Sequence, residues 1–131
     1  LDLFPPHERD VARILFAESL VGIVSQRLLP ARHGGRVCAM EIMKGNLRIR
    51  DLIKDPERTN EIYEALKDSA LDGMQTFDDH LAELYAQDKI DLETALANAT
   101  SAQYVKVKAL QINAAKQTLI DEAAAMAGRM N

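Results

Sequence analysis

One segment of this sequence has the pattern of a β-hairpin, and its second strand constrains the fold more than any other feature. Gln26–Leu29 and Arg36–Met43 are strand-like runs that flank a turn at Pro30–Gly35. The second run is apolar on both faces apart from Glu41, which is typical of a strand inside a sheet. Because two strands do not make a stable sheet unaided, we expect neighbouring strands that this sequence does not contain. The hairpin therefore indicates a piece of a longer polypeptide.

The rest of the sequence has the periodicity of helices. Pro5-Pro6 precedes a predicted helix, His7–Val24, whose apolar second half from Leu20 is expected to be deeply buried. Five more predicted helices follow the hairpin: Leu47–Asp55, Glu57–Leu71, Thr76–Lys89, Asp91–Ala99 and Ala102–Met130. The sequence therefore predicts a mainly α fold with one β-hairpin.

Single residues mark the ends of these helices. Asn46, Thr76 and Asp91 are of the types preferred at N-caps, where a side-chain oxygen accepts a hydrogen bond from a free backbone N–H. Pro56 and Gly73 end the helices that precede them. The end signals support the helix boundaries that the periodicity predicts.

The composition predicts one compact domain with an ordinary apolar core, because 131 residues of which 47% are hydrophobic suffice for one. The apolar runs are far shorter than the ~20 residues needed to span a bilayer, so a cytosolic or peripheral location is expected. The single cysteine, Cys38, fits a reducing compartment and is expected to be buried and inert.

Charge is unevenly distributed along the chain. From Arg27 to Arg58 eight basic residues stand against four acidic ones, whereas from Thr59 to Asn131 six stand against twelve. Charges of opposite sign in two parts of a small chain suit docking between subunits. With three Tyr, three Phe and no Trp, the chain lacks the aromatic side chains that stack on bases. We therefore expect no nucleic-acid binding.

The sequence contains no recognisable catalytic, metal-binding or nucleotide-binding motif. His7, His33 and His80 stand far apart, and neither His-x3-His nor Cys-x2-Cys occurs. No serine lies in a Gly-x-Ser-x-Gly context. None of the seven lysines follows Gly or precedes Ser or Thr, so a phosphate-binding loop ending in Gly-Lys-Ser/Thr cannot be formed. Within this chain we expect no catalytic residue, no metal site and no cofactor site.

Several separated motifs occur in the order that is found in one known family. They are Ser25-Gln26-Arg27-Leu28-Leu29-Pro30, Gly35–Met43, Arg48–Asp55, Gly73–Asp78, Glu83-Leu84-Tyr85 and Glu93–Leu96. From Leu3 to about Thr100 the chain resembles the C-terminal part of the PilT-type twitching-motility ATPases. These are the type IV pilus retraction motors of the type II/IV secretion ATPase superfamily.

This resemblance implies a fold and a domain organisation. Residues 1–45 are expected to be the end of a RecA-like P-loop ATPase core, with a helix and the β-hairpin. Residues 46–100 are expected to form the helical C-terminal domain of that ATPase, and residues 101–131 one long C-terminal helix. The phosphate-binding loop of the family lies upstream of the motifs found here.

The resemblance also implies a function for the parent protein. We expect it to bind ATP and Mg, to act as a hexamer, and to couple ATP hydrolysis to pilus retraction or secretion. Its expected partner is an inner-membrane pilus or secretion platform protein, at the cytoplasmic face of the inner membrane. Two alternatives stay open: a stand-alone, non-catalytic helical interaction module, and a relative of the conjugation-like secretion ATPases.

The candidate functional site is the segment that runs from residue 48 to residue 55. It consists of Arg48, Ile49, Arg50, Asp51, Leu52, Ile53, Lys54 and Asp55. In a helix the three apolar residues share one face by their i, i+3 and i+4 spacing, and the charged residues occupy the rest. This pattern alone indicates an ordinary amphipathic helix.

The same segment aligns with the family signature Ala-Ile-Arg-Asn-Leu-Ile-Arg-Glu, from which Arg48 and Asp51 depart. The resemblance implies that this helix couples ATP turnover to pilus retraction and takes no part in hydrolysis. We expect Leu52 and Ile53 to be structural. Arg50 is expected to be a functional or interdomain contact.

Other departures from the family pattern indicate a divergent paralogue or a relative among the conjugation-like secretion ATPases. The family sequence Thr-His-Gln-Ile reads Thr59-Asn60-Glu61-Ile62 here, and Asp88 stands where the family has Gly. The tail from Ala102 is longer than the common family ending. Two outcomes are open for it: a helix that docks on this domain or on a neighbouring subunit, and a frayed, exposed terminus.

We predict that the purified chain hydrolyses no ATP, because it lacks the Gly-Lys-Ser/Thr element that holds the β- and γ-phosphates. The measurement is phosphate release in the presence of magnesium, after contaminating ATPases have been removed. Magnesium-dependent turnover that follows the protein through a second purification step would contradict the prediction.

Overall fold

The computed structural model describes residues 2–129. Its helices are α1 (Arg9–Ser19), α2 (Leu47–Lys54), α3 (Ile62–Asp68), α4 (Phe77–Ala86), α5 (Leu92–Ala97) and α6 (Ala102–Arg129). Its strands are β1 (Gly22–Pro30) and β2 (Arg36–Lys44), which pair as a two-stranded hairpin. Short 3-10 turns occupy Pro6–Glu8, Pro56–Glu61 and Ala70–Asp72. The predicted mainly α fold with one β-hairpin is confirmed.

The first helix is shorter than predicted, because the apolar residues after Leu20 belong to the hairpin. Helix α1 ends at Ser19, and β1 begins at Gly22. The β-branched residues Val21 and Val24 favour extended backbone over helix. The expected burial of this stretch is also wrong, since Val21 is 86% exposed while Leu20 is buried.

The chain forms two compact units. Unit 1 comprises the described residues up to Arg27 together with Met40–Thr76, and unit 2 comprises Leu28–Ala39 together with the described residues from Phe77 onward. The hairpin therefore contributes residues to both units. The predicted domain boundaries after residues 45 and 100 concern a larger ATPase and stay a prediction.

The core of unit 1 is formed by α1, α2 and α3. Its buried side chains are Ala17, Leu20, Ile49, Leu52, Ile53, Ala65, Leu66 and Met74. The predicted N-cap of α2 is confirmed, since Asn46 Oδ1 accepts a hydrogen bond from the Ile49 N–H at 2.9 Å. The predicted helix Glu57–Leu71 is instead divided into a 3-10 turn, α3 and a second 3-10 turn that ends at Gly73.

Residue Gln75 extends the hairpin along the free edge of β2. Its N–H and C=O pair with the C=O and N–H of Ile42 at 3.1 and 2.9 Å. Its side-chain Nε2 donates to the Met40 carbonyl at 2.9 Å. This short bridge covers backbone groups that an edge strand leaves unpaired, and it places Met74 in the core of unit 1.

The core of unit 2 is formed by the hairpin tip and helices α4, α5 and α6. Its buried side chains are Leu29, Ala39, Phe77, Leu81, Leu84, Ile90, Ala95 and Val105. The predicted cap of α5 is confirmed, since Asp91 Oδ1 accepts from the Thr94 N–H at 2.7 Å. Cys38, which was expected to be buried, is only half-buried.

Helix α4 ends at Ala86, three residues earlier than predicted, and Asp88 holds the hairpin tip. Asp88 has a left-handed backbone with φ 62°, a conformation that Asp tolerates better than most residues. Its carboxylate accepts hydrogen bonds from Arg32 at 2.6 Å and from His33 at 3.0 Å. The hydrogen bond from His33 is the main cause of the lowered pKa of Asp88, and the Arg32 charge adds to it.

Asp78 caps a helix that begins more than twenty residues after it. Its two carboxylate oxygens accept hydrogen bonds from the backbone N–H groups of Thr100 at 2.7 Å and Ser101 at 2.8 Å. These groups lie at the start of α6, where backbone N–H groups have no intrahelical acceptor. The side chain of Asp78 is fully buried. Its neighbour Asp79 accepts from the Tyr104 hydroxyl at 2.6 Å.

Helix α6 packs into unit 2 only over its first turns. Val105 and Ala109 are buried, and the Tyr85 hydroxyl donates to Asn113 Oδ1 at 2.9 Å. From Asn113 to Arg129 the helix is exposed on all sides, including Leu119, Ile120 and Met126. The predicted long helix is confirmed as far as Arg129, and Met130 lies outside the described residues. Within residues 2–129, no helix has the length and apolar character that crossing a membrane requires.

We predict that Asp78→Ala lowers the free energy of unfolding by about 2–3 kcal/mol, because two N–H groups lose a charged acceptor. Asp78→Asn is expected to cost less, since an amide oxygen still accepts. The matched control is Asp2→Asn, whose side chain is fully exposed. The measurement is urea unfolding followed by circular dichroism. Equal midpoints for Asp78→Ala and the control would contradict the prediction.

Candidate functional site

Helix α2 carries seven of the eight candidate residues, and Asp55 follows it directly. Ile49, Leu52 and Ile53 are buried in unit 1, as their spacing predicted. Arg48 and Asp51 are exposed, and Lys54 and Asp55 are half-buried. Asp55 Oδ1 accepts from the Glu57 N–H at 3.0 Å and so begins the following 3-10 turn. The structure thus brings the candidate residues together on one short, firmly packed helix.

Two polar contacts join α2 to α1 within unit 1. Arg13 Nη1 donates to the Ile53 carbonyl at 3.2 Å. Lys54 Nζ forms an ion pair with Glu18 Oε1. The hydrogen bond from Lys54 is the main cause of the lowered pKa of Glu18, with smaller contributions from the Lys54 and Arg50 charges. These contacts fix the C-terminal half of α2 against α1.

Arg50, which was expected to be a functional or interdomain contact, reaches the end of α1. Its Nη2 donates to the backbone carbonyl of Leu20 at 3.2 Å. Its Nε is buried and has no hydrogen-bond partner within residues 2–129. The residue as a whole is half-buried. The expected role of Arg50 as a functional or interdomain contact stays a prediction, and helical periodicity alone did not show that the end of α1 lies within reach of this side chain.

The exposed side of α2 presents charged groups around one apolar residue. Arg48 Nη1 contacts Asp68 Oδ2 at 3.3 Å, and Leu47 is 76% exposed. Arg58 binds both carboxylate oxygens of Glu61 at 2.9 Å. A shallow cleft of about 290 Å³ is lined by Leu47, Arg48, Asp51, Leu52 and Arg58. We call Leu47, Arg48, Asp51 and Arg58 the outer face of α2.

Unit 1 also has a larger, mainly apolar pocket of about 600 Å³, which the sequence did not predict. Its apolar lining residues are Phe4, Ala12, Leu15, Phe16, Met43, Ile53 and Ile62. Part of the signal lay in the apolar stripe of α1, Val11, Ile14 and Leu15, of which Leu15 lines the pocket. All three of these side chains are exposed in the structure. An apolar helix face that is not buried indicates a surface for a further partner.

The described residues show no constellation for chemistry. Within residues 2–129, no group of three or more His, Cys, Asp or Glu side chains is placed to hold a metal ion. His33 contacts Asp88 in an exposed position, and His7 lies next to Glu8. The site is therefore a packed helix with a charged outer face, which suits contact with another macromolecule.

Three proteins of known name match most of this chain in sequence. It is 38% identical over 99 residues to the Pseudomonas aeruginosa type IV pilus retraction ATPase PilT, and 36% identical over 104 residues to a Neisseria gonorrhoeae twitching motility protein. It is 34% identical over 108 residues to the P. aeruginosa type IV pilus ATPase PilU. These alignments cover 76%, 79% and 82% of the chain. This chain is homologous to a segment of the PilT-type ATPases.

The matched segment is a small part of these PilT-type proteins. It corresponds to 28% of the length of each of the three relatives. No family model matches the chain. Identities of 34–38% over three quarters of the chain nevertheless confirm the resemblance that the separated motifs indicated.

Solved structures give the same result for the fold. A crystal structure of the pilus retraction motor PilT with bound ADP is 39% identical, with a TM-score of 0.60, and covers 76% of this chain and 27% of that one. The Legionella pneumophila ATPase DotB is 22% identical, with a TM-score of 0.57, and covers 73% of this chain and 27% of that one. The likeness to DotB shows a shared fold alone.

We predict that Leu52→Ala and Ile53→Ala each lower the free energy of unfolding by about 2–5 kcal/mol, because each leaves a cavity in the core of unit 1. The matched control is Leu47→Ala on the outer face of the same helix, which is expected to cost less than about 0.5 kcal/mol. Urea unfolding measures all three. A cost for Leu47→Ala equal to that for Leu52→Ala would contradict the assignment of the faces.

We also predict a pH dependence for the ion pair between α1 and α2. The pKa of Glu18 is lowered from 4.5 in the folded chain, so its contribution to stability is present above that value and is lost as the pH falls through the lowered pKa. The stability difference between the natural chain and Glu18→Gln should be constant near neutral pH and should disappear in acid. A difference that keeps its neutral-pH size however far the pH falls below 4.5 would contradict this.

Proposed function

We propose that this chain is the C-terminal segment of a motor ATPase that couples ATP hydrolysis to pilus retraction or secretion. The observation that carries the proposal is the identity of 34–38% to relatives named as pilus ATPases and a twitching motility protein. In this proposal ATP and Mg bind to a part of the protein that precedes the matched segment. That part is the RecA-like core, and residues 1–45 complete it.

The proposed assembly is a hexamer at the cytoplasmic face of the inner membrane, where it docks on a pilus or secretion platform protein. The exposed apolar side chains of unit 1 support this proposal, because another domain or subunit would cover them. Val11 and Leu15 on α1, with Val21 and Val24 at the start of the hairpin, are all more than half exposed. Surfaces of this kind are costly in water and are normally covered by a partner or by another domain.

Within this assembly, α2 is proposed to transmit motion from the ATPase core to the partner. The contacts of Arg13 and Lys54 join it to α1, and three apolar side chains anchor it in the core. A helix held in this way moves with α1 as one body, because packed cores do not deform continuously. Its outer face keeps charged groups available for contact. This arrangement fits a coupling element better than an ATP-binding element.

A second candidate function is that of a secretion ATPase related to the conjugation-like systems. The structural likeness to DotB is compatible with this second function. A shared fold does not identify the pilus or the secreted substrate on which a motor acts. The third possibility, a stand-alone helical interaction module without ATPase activity, is an outcome of the experiment that follows.

The experiment replaces the aligned segment of P. aeruginosa PilT by the corresponding residues of this chain. We expect the chimera to hydrolyse ATP and to restore twitching in a strain that lacks PilT. The combined change Arg48→Gln and Asp51→Asn on the outer face of α2 should reduce twitching about tenfold while ATPase activity stays within about twofold. The matched control is Glu93→Gln, an exposed carboxylate on α5 of unit 2.

The results distinguish between the three candidate functions. A chimera with normal ATPase activity but no twitching favours the secretion ATPase, and a folded chimera that does not hydrolyse ATP favours the stand-alone module. Full twitching by the outer-face variant would remove the proposed role of α2.

A further inference from the structure

Arg50 is the one arginine of α2 that turns inward. Arg48 contacts Asp68 at the exposed surface, whereas Arg50 donates from Nη2 to the Leu20 carbonyl and keeps its Nε buried. A contact residue for a partner protein needs an accessible head group. Because Arg50 is half-buried and its guanidinium already binds the end of α1, its position points to a role within unit 1.

The acceptor of Arg50 is the carbonyl group at the end of α1. Leu20 is the C-cap residue of α1, and the last turn of that helix contains no basic residue. Carbonyl groups at a helix C-terminus lack intrahelical donors and carry partial negative charge, so a cation beside them is favourable. Arg50 supplies this cation from a position thirty residues later in the chain.

The same carbonyl group is also approached closely by the segment that leads into α2. The Gly45 N–H donates to the Val21 carbonyl at 2.9 Å, and a Cβ at residue 45 would overlap the Leu20 carbonyl oxygen. The chain thus passes in backbone contact with the end of α1 before α2 begins. Gly45 places the start of α2 next to the end of α1. Arg50 lies more than one helical turn further along, where its contact with Leu20 can set the rotation of α2 about its own axis.

We propose that Arg50 is a positioning residue, which sets the rotation of α2 against the end of α1 so that Arg48 and Asp51 face outward. This inference rests on the proposed function of α2 and deepens it, because it removes Arg50 from the contact surface. Glu18 and Lys54 form a separate attachment that remains when Arg50 is replaced. Loss of Arg50 therefore leaves α2 folded but less firmly oriented.

Hydrogen exchange on the 131-residue chain tests the positioning role directly. In Arg50→Gln we expect the backbone N–H groups of α2 to exchange about tenfold faster, because a hydrogen bond from a charged group is lost. The exchange rates of the backbone N–H groups of α4 should not change. Arg50→Lys should recover part of the protection, since an ammonium group also donates to a carbonyl. Arg36→Gln, at an exposed arginine of the hairpin, is the matched control.

Two results would overturn the proposal. Unchanged exchange in α2 of Arg50→Gln would mean that the Leu20 contact does not hold the helix. The second result is an equal increase of the exchange rate in α1, α2 and α3 that Arg50→Lys does not reverse. It would mean that Arg50 stabilises unit 1 as a whole and does not specifically orient α2.

The PilT chimera provides the functional measurement. Arg50→Gln should reduce twitching while ATPase activity is kept, and Arg50→Lys should restore part of the twitching. Reduced twitching without any change of exchange in α2 would identify Arg50 as a direct partner contact and overturn the proposal. If the unsubstituted chimera fails to support twitching, the proposed function fails, whereas the exchange measurement still decides whether Arg50 positions α2.

Discussion

Unit 1 depends on the burial of one apolar face of α2. Ile49, Leu52 and Ile53 fill the space between α1 and α3, and each contributes roughly 2–3 kcal/mol by the transfer of its side chain out of water. The ion pair of Lys54 with Glu18 lies at the surface, where water and salt screen it, so it adds little stability. Apolar packing therefore holds α2 in place, while the polar contacts decide how it is turned.

Both units use a charged side chain to satisfy a helix end that is distant in sequence. Asp78 accepts from the N–H groups at the start of α6, and Arg50 donates to the carbonyl at the end of α1. In each case the sign of the charge matches the local end of the helix dipole. A remote cap does two things at once, because it completes the backbone hydrogen bonds of one helix and ties that helix to another.

Local sequence rules predicted the parts of this fold that depend on neighbours in the chain. The N-caps Asn46 and Asp91 and the buried face of α2 follow from spacings of three or four residues, and the structure confirms them. The family resemblance was also found from short motifs and is confirmed by the relatives. The positions of Asp78 and Arg50 were missed, because their partners lie 22 and 30 residues away and no local pattern marks them.

The two units are interleaved in sequence, and this has a consequence for synthesis on the ribosome. Leu29 at the hairpin tip is buried with Val105 in unit 2, yet the residues that complete unit 1 lie between them. At about 5–20 residues per second, Leu29 waits roughly 4–15 s for α6 to emerge. During that interval the apolar side chain of Leu29 is exposed to the cell, because α6 is not yet there to cover it. The nascent chain therefore passes through a state with exposed apolar side chains that a chaperone can recognise. Because each unit consists of two separate segments, dividing the chain at one position would not give two complete units.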